Sequence, residues 1–161
     1  MGTGLLGQTE RSVLIGIRML IGEYKHTIDT KKRLSIPAKF RRDLGDKAVI
    51  TKGLEKCLVI YTMPEWEKMA EKLNSLPTSQ SDARNFARMM LAGATDVELD
   101  KLGRVLVPDY LKDYASLKKN VTVLGLSSKI EIWDSDKWEE HKQKTETAAG
   151  DIAERLKDLG I

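Results

Sequence analysis

The groups best placed to do chemistry in this 161-residue chain are two pairs of aspartate and arginine, Asp29 with Arg33 and Asp100 with Arg104. In each copy a proline, Pro37 or Pro108, follows four residues after the arginine. Two chemistries fit such a pair. The carboxylate can bind the guanidinium inside a turn and serve structure alone. Alternatively, the arginine presents its planar fork to an external acceptor, a match for phosphate oxygens or for O6 and N7 of guanine. The flanking residues set the copies apart. From Lys25 to Arg42, seven basic residues (Lys25, Lys31, Lys32, Arg33, Lys39, Arg41 and Arg42) face one acid, Asp29, a net +6. From Asp96 to Asp113, three basic residues face five acids, a net −2, and Leu102 and Gly103 stand where the first copy has Lys31 and Lys32. The first copy is therefore the one expected to meet a polyanion.

Catalysis needs a nucleophile with a base, paired carboxylates in a cleft, or clustered metal ligands, and no such constellation stands out. His26 and His141 fall on unrelated stretches, and the single Cys57 gives no zinc-ligand spacing. Cys57 sits in the apolar run Cys57-Leu58-Val59-Ile60-Tyr61, where a thiol packs as a small hydrophobe and a reducing compartment fits. Gly45, Gly53 and Gly103 suit turns rather than a phosphate-cradling loop. No enzyme activity, cofactor or metal is expected. Trp66, Trp133 and Trp138 have faces that bases could stack on, but Trp66 and Trp138 open amphipathic stretches and are expected in the core, which leaves RNA binding a secondary reading.

The elements that must position the arginines repeat. A shift of 71 residues places Gly22 on Gly93, Asp29 on Asp100, Arg33 on Arg104 and Pro37 on Pro108; a shift of 72 places Ile60 on Ile132, Tyr61 on Trp133 and Trp66 on Trp138. Each copy reads as a strand (Tyr24 to Ile28, Val97 to Leu99), a polar turn carrying the Asp and Arg, and an apolar strand (Leu34 to Ile36, Val105 to Val107), together resembling a hairpin. A short helix opens at Pro37 or Pro108. Two more strands follow (Ala48 to Thr51 with Cys57 to Tyr61, Val121 to Leu124 with Lys129 to Trp133), then an amphipathic helix capped by Thr62, or starting near Asp134 or Ser135. The break Pro77-Thr78-Ser79-Gln80-Ser81 separates the copies, and Ala83, Phe86, Ala87 and Met90 give the linker its own helical spacing. The expected division is an extension at 1–18, repeat 1 at 22–76, a linker helix at 77–92, repeat 2 at 93–148 and a tail or helix at 149–161.

At 161 residues, with 41% apolar and 32% charged residues, the chain can bury one shared core, and one copy alone is too small to do so. The copies are expected to pack together, and leftover strand edges to favour self-association. A net charge of +3 permits a polyanionic partner without demanding one. The most apolar segment, Ser12 to Gly22, is short and interrupted by Arg18, so no membrane span is expected.

With these features assembled, the segment MLIGEYKHTIDTKKRLSIPAKFRRDLG (19–45) and the second-copy DKLGRVLVP (100–108) resemble the MraZ family, whose defining feature is a repeated Asp-x-x-x-Arg motif followed by an apolar pair and proline. The resemblance covers about Met19 to Ala148. It implies an α+β fold of two tandem, pseudo-symmetric, β-rich repeats of AbrB-like type, with swapped-hairpin or double-split β-α-β character and amphipathic helices. It also implies ring-like homo-oligomers and binding to direct repeats in the promoter of a cell division and cell wall gene cluster. The expected function is a sequence-specific DNA-binding transcriptional repressor, acting also on its own operon, in the cytoplasm and associated with the nucleoid. On that reading Lys31 and Arg33 enter the major groove, Lys32 supports them, and Arg41 and Arg42 contact phosphates. Asp29, Asp100 and Arg104 are assigned to structure or an interface. A ring-forming scaffold whose basic loop docks an acidic protein is the alternative.

Overall fold

A computed structural model of the chain describes residues 20–161. The extension read at 1–18 and most of the Ser12 to Gly22 segment lie outside the described residues. The first half runs β1 (Leu20–Thr27), β2 (Arg33–Ser35), α1 (Ala38–Leu44), β3 (Lys47–Lys52), β4 (Leu58–Thr62) and α2 (Met63–Asn74), and α3 (Ser81–Ala92) follows the Pro77 break. The second half repeats the order as β5 (Thr95–Glu98), β6 (Arg104–Leu106), α4 (Asp109–Tyr114), β7 (Asn120–Ser127), β8 (Lys129–Asp134) and α5 (Ser135–Thr147), ending in α6 (Ala149–Leu156). The sequence pattern that makes the longer helices is visible at their starts. Thr62 accepts a hydrogen bond from the Glu65 N–H, and Asp134 accepts one from the Lys137 N–H, each supplying a partner to an otherwise orphaned first-turn donor.

The strands assemble across the repeats. The six-stranded antiparallel sheet has the order β1-β7-β8-β4-β3-β5, and β2 pairs with β6 in a separate two-stranded ribbon. Exchanging the two repeats leaves this order unchanged, so the chain folds with a pseudo-twofold axis. Strand β1 runs its full eight residues against β7, from Leu20 opposite Ser127 to Thr27 opposite Asn120, while β5 pairs with β3 over four. The simple hairpin expected around each Asp-Arg turn is therefore not what forms. Beyond the turn itself, a single bridge, Ile28 to Leu34, joins the two flanking strands, and the ladders go to the other repeat. The cause is burial. A three-residue strand with a proline two residues beyond its end makes too short a ladder to hold its own hairpin. Leu34 becomes fully buried only by lying opposite Val105 of the other copy.

That exchange yields one core. Leu34, Ile36 and Phe40 of the first repeat share a buried cluster with Val105, Val107 and Leu111 of the second. Phe40 packs edge-on against Tyr24, with ring centroids 5.2 Å apart. Gly125 is required where β1 crosses this region, since a Cβ there would lie 2.7 Å from the Ile21 nitrogen and from the Phe40 ring. On the outer face of the sheet, α2 and α3 bury Val59 and Tyr61 with Leu73 and Met90, and α5 brings Trp138 against Trp133. The buried Thr51 hydroxyl donates to the Met90 carbonyl at 2.7 Å and so fastens the linker helix to the sheet. No described helix is long and apolar enough to cross a membrane.

Candidate nucleic-acid interface

The two Asp-Arg turns are built alike, atom for atom. Asp29 Oδ1 accepts hydrogen bonds from the backbone N–H groups of Lys31 and Arg33, both at 2.9 Å, while its Oδ2 accepts from Arg33 Nε at 2.7 Å. Asp100 does the same for the N–H groups of Leu102 and Arg104, at 2.9 Å, and for Arg104 Nε, at 2.8 Å. A short carboxylate that bonds the backbone two and four residues on is the reason aspartate stands there. These donors hold both carboxyls below the ordinary aspartate range, the arginine's backbone N–H contributing most. A depressed carboxyl stabilises the fold above its unfolded pKa and loses that contribution as pH falls through its folded value, so both turns stay closed at neutral pH.

Each turn is completed by the other repeat. Lys32 and Gly103, the fourth residues of the turns, take left-handed φ values of 64° and 74°. Their carbonyls accept from the N–H groups of Val107 and Ile36 respectively, both at 2.9 Å. The ribbon between the turns has two faces, because side chains alternate along a strand. Leu34 and Val105 face the core. Arg33 opposite Leu106, and Ser35 opposite Arg104, face outward. The fold thus places Arg33 and Arg104 on one outward surface, each arginine held by its own aspartate.

The other candidate cations stand on the first turn and on α1. Lys31 is exposed at the first tip and Arg42 is exposed on α1. Lys32 Nζ pairs with Asp109 of the second repeat at 2.6 Å. Arg41 Nε donates to the Ile36 carbonyl at 2.9 Å and the side chain lies against Gly103, so Arg41 stands at the junction of the two repeats. Arg104, which sequence reasoning assigned to structure or an interface, does pair with Asp100, and it also shares Arg33's outward face. The offset of 71 residues carried that signal. The sequence reading set Leu102 against Lys31 but passed over Leu106, whose cue was an apolar residue on the outward phase of Arg104-Val105-Leu106.

Gly103 makes a specific prediction. Any Cβ there would meet the Arg41 side chain and would hold φ at +74°. Gly103→Ala is expected to lower stability by about 1–2 kcal/mol from the backbone conformation alone. In a domain of this size that corresponds to a melting temperature lower by roughly 2–8 °C. Adding Arg41→Ala should recover only the steric part. An unchanged melting temperature in Gly103→Ala would show that the junction tolerates the extra atom.

The remaining reactive groups stand on other elements, Cys57 just before β4, His141 on α5 and His26 on β1. Burial pushes the Cys57 thiol up to about 12, with nearby Glu131 and Glu55 adding to the effect, so it stays protonated. His141 pairs with Glu55 at 3.1 Å and packs beside Trp133. Burial and the charge of Arg41 lower the His26 pKa. Among the described residues no group of three or more His, Cys, Asp or Glu is placed to hold a metal ion.

Comparison with known proteins agrees with the duplicated geometry. The family model for the MraZ protein matches twice, over residues 19–89 and 90–159. Proteins called transcriptional regulator MraZ from Caldanaerobacter subterraneus subsp. tengcongensis and from Thermoanaerobacter sp. strain X514 are each 48% identical over 143 residues, 89% of this chain and the whole of each relative. The protein of the same name from Natranaerobius thermophilus is 46% identical over the same share. Two matched repeats, meeting in a ribbon of paired Asp-Arg turns, make this chain a member of the MraZ family.

Proposed function

We propose that this chain is a sequence-specific DNA-binding transcriptional regulator that reads the major groove with the β2-β6 ribbon and its two turns. The observation that carries the reading is the pair of arginines, Arg33 and Arg104, preset on one outward face by aspartates that already satisfy the turn backbone. A fork held in place loses less side-chain freedom on meeting guanine O6 and N7 than a free one. Beside Arg33, Lys31 enters the groove with Lys32 in support, while Arg41 and Arg42 supply positive charge for phosphates, which fixes register without reading sequence. Lys32 can also exchange its exposed Asp109 partner for a phosphate at little cost, because surface pairs are worth about 0–1 kcal/mol.

The finer parts of the reading come from the family resemblance and from multivalency. One ribbon covers only a few base pairs. A homo-oligomeric ring presenting several ribbons gains the missing specificity and suits direct repeats spaced near one helical turn. On this reading the protein acts in the cytoplasm at the nucleoid as a repressor of a cell division and cell wall gene cluster, its own gene included. The test is binding of the full chain to a labelled duplex from its own upstream region, against a scrambled duplex, across a salt series. Preference for the cognate duplex is expected. The logarithm of the affinity should fall with the logarithm of salt at a slope of about −0.9 for each phosphate neutralised. Equal, salt-insensitive binding of both duplexes would remove DNA reading and favour a docking role for protein partners.

A further inference from the structure

Two leucines sit on the proposed reading surface where the pseudo-twofold axis would place polar residues. Leu106, 58% exposed, occupies the position of Ser35, and Leu102, 63% exposed, occupies that of Lys31. Leu106 lies directly opposite Arg33 on the outward face of the ribbon, with Ser35 and Arg104 completing that face. The two halves of the ribbon therefore have matched backbones and unmatched chemistry.

We propose that Leu106 reads the C5-methyl group of a thymine beside the guanine contacted by Arg33, and that Leu102 extends the same apolar edge, so that the ribbon reads its site in one direction only. The inference rests on the ribbon being the DNA-binding surface. In the major groove the thymine methyl is the apolar group that distinguishes a base edge, and an aliphatic side chain is its natural partner. Side chains directly opposed across antiparallel strands have Cβ atoms about 4.5–5.5 Å apart. Successive base pairs rise about 3.4 Å. A leucine opposite an arginine fork therefore falls within one or two base pairs of the base the fork binds. The surroundings favour DNA over a second protein. Leu106 shares its face with Arg33, Arg104 and Ser35, and guanidinium forks beside an apolar side chain match the acceptors and the methyl group of a major-groove edge.

The test uses the thymine methyl itself. In the cognate duplex each thymine is replaced in turn by deoxyuridine, which keeps every hydrogen bond and lacks the methyl, and binding is measured for wild type and Leu106→Ser. Serine is what the equivalent place in the other repeat carries, so the ribbon backbone accommodates it. Wild type should lose about fourfold in affinity at one or two thymines, the value of burying one methyl. Leu106→Ser should be insensitive at those same positions while still preferring cognate over scrambled duplex. If wild type prefers the cognate duplex and no thymine separates the two proteins, Leu106 reads no methyl and the inference falls while DNA reading stands. If Leu106→Ser instead changes the molar mass measured by light scattering, the leucine is an assembly contact and the inference again falls. Loss of cognate preference in wild type itself would remove both.

Discussion

Arg33→Ala is expected to erase most of the preference for the cognate duplex while leaving the protein folded and still able to bind DNA weakly. One good bidentate contact to guanine is worth about 1–3 kcal/mol of discrimination, or roughly 5- to 150-fold per ribbon. Because an oligomer uses several ribbons on repeated boxes, the loss multiplies across sites. Non-specific binding should fall much less, with the salt slope smaller by about one charge per ribbon if Arg33 also neutralises a phosphate. The mutation should cost little stability, since the Arg33 side chain makes a half-exposed ion pair. Arg33→Lys sharpens the result. It keeps the charge and loses the fork, so it should resemble alanine in specificity and wild type in salt slope. If Arg33→Ala keeps its preference for cognate over scrambled duplex, the turn is structural and the reading surface lies elsewhere.

The same geometry predicts how the aspartate enters. Asp29→Asn retains an oxygen for the Lys31 and Arg33 N–H groups, so the turn should persist, but it removes the charge that holds Arg33 Nε. Specificity should therefore fall partway in Asp29→Asn. In Asp29→Ala it should fall further, because there the turn backbone loses its acceptor as well.

Much of this architecture was legible along the chain because the fold repeats where the sequence repeats. Offsets of 71 and 72 residues marked the paired turns, the prolines and the outer-face aromatics. Local pattern also found the Thr62 cap and a helix start near Asp134 or Ser135, where the structure makes Asp134 the cap. What local pattern does not encode is which repeat a strand pairs with. Arg33 to Ser35 is three residues long in either partner, and its choice of Val105 over its own β1 is decided by burial of a leucine in a shared core. The resemblance to a swapped-hairpin family supplied that expectation; alternation of residues alone indicated a hairpin. The charge count had the same blind spot. It separated a +6 stretch from a −2 stretch, yet strand exchange sets Arg104 beside Ser35 and returns it to the surface of Arg33. Charge along the chain weighs neighbours in sequence, and the ribbon is made of neighbours in space.

Strand exchange has a consequence for the isolated first half. Residues 20–92 contain β1 without β7, β2 without β6 and β4 without β8, so every ladder except β3 to β4 loses its partner. A monomer of that segment would leave the eight-residue edge of β1 open and expose Leu34, Ile36 and Phe40, which are fully buried in the whole chain. Its stability as a monomer is therefore expected to vanish. Two copies, however, could rebuild the same topology: β1 against the partner's β3, β2 against the partner's β2, β4 against the partner's β4. Folding of the segment should accordingly appear only together with dimerisation, and its melting temperature should rise with concentration as mass action requires. Light scattering and circular dichroism over a dilution series separate the cases. Loss of structure on dilution to monomer is the expected result, because the pseudo-twofold core has no version that one half can close alone. A folded, concentration-independent monomer of 20–92 would mean that one repeat can satisfy its own edges and that the exchange is a convenience of duplication.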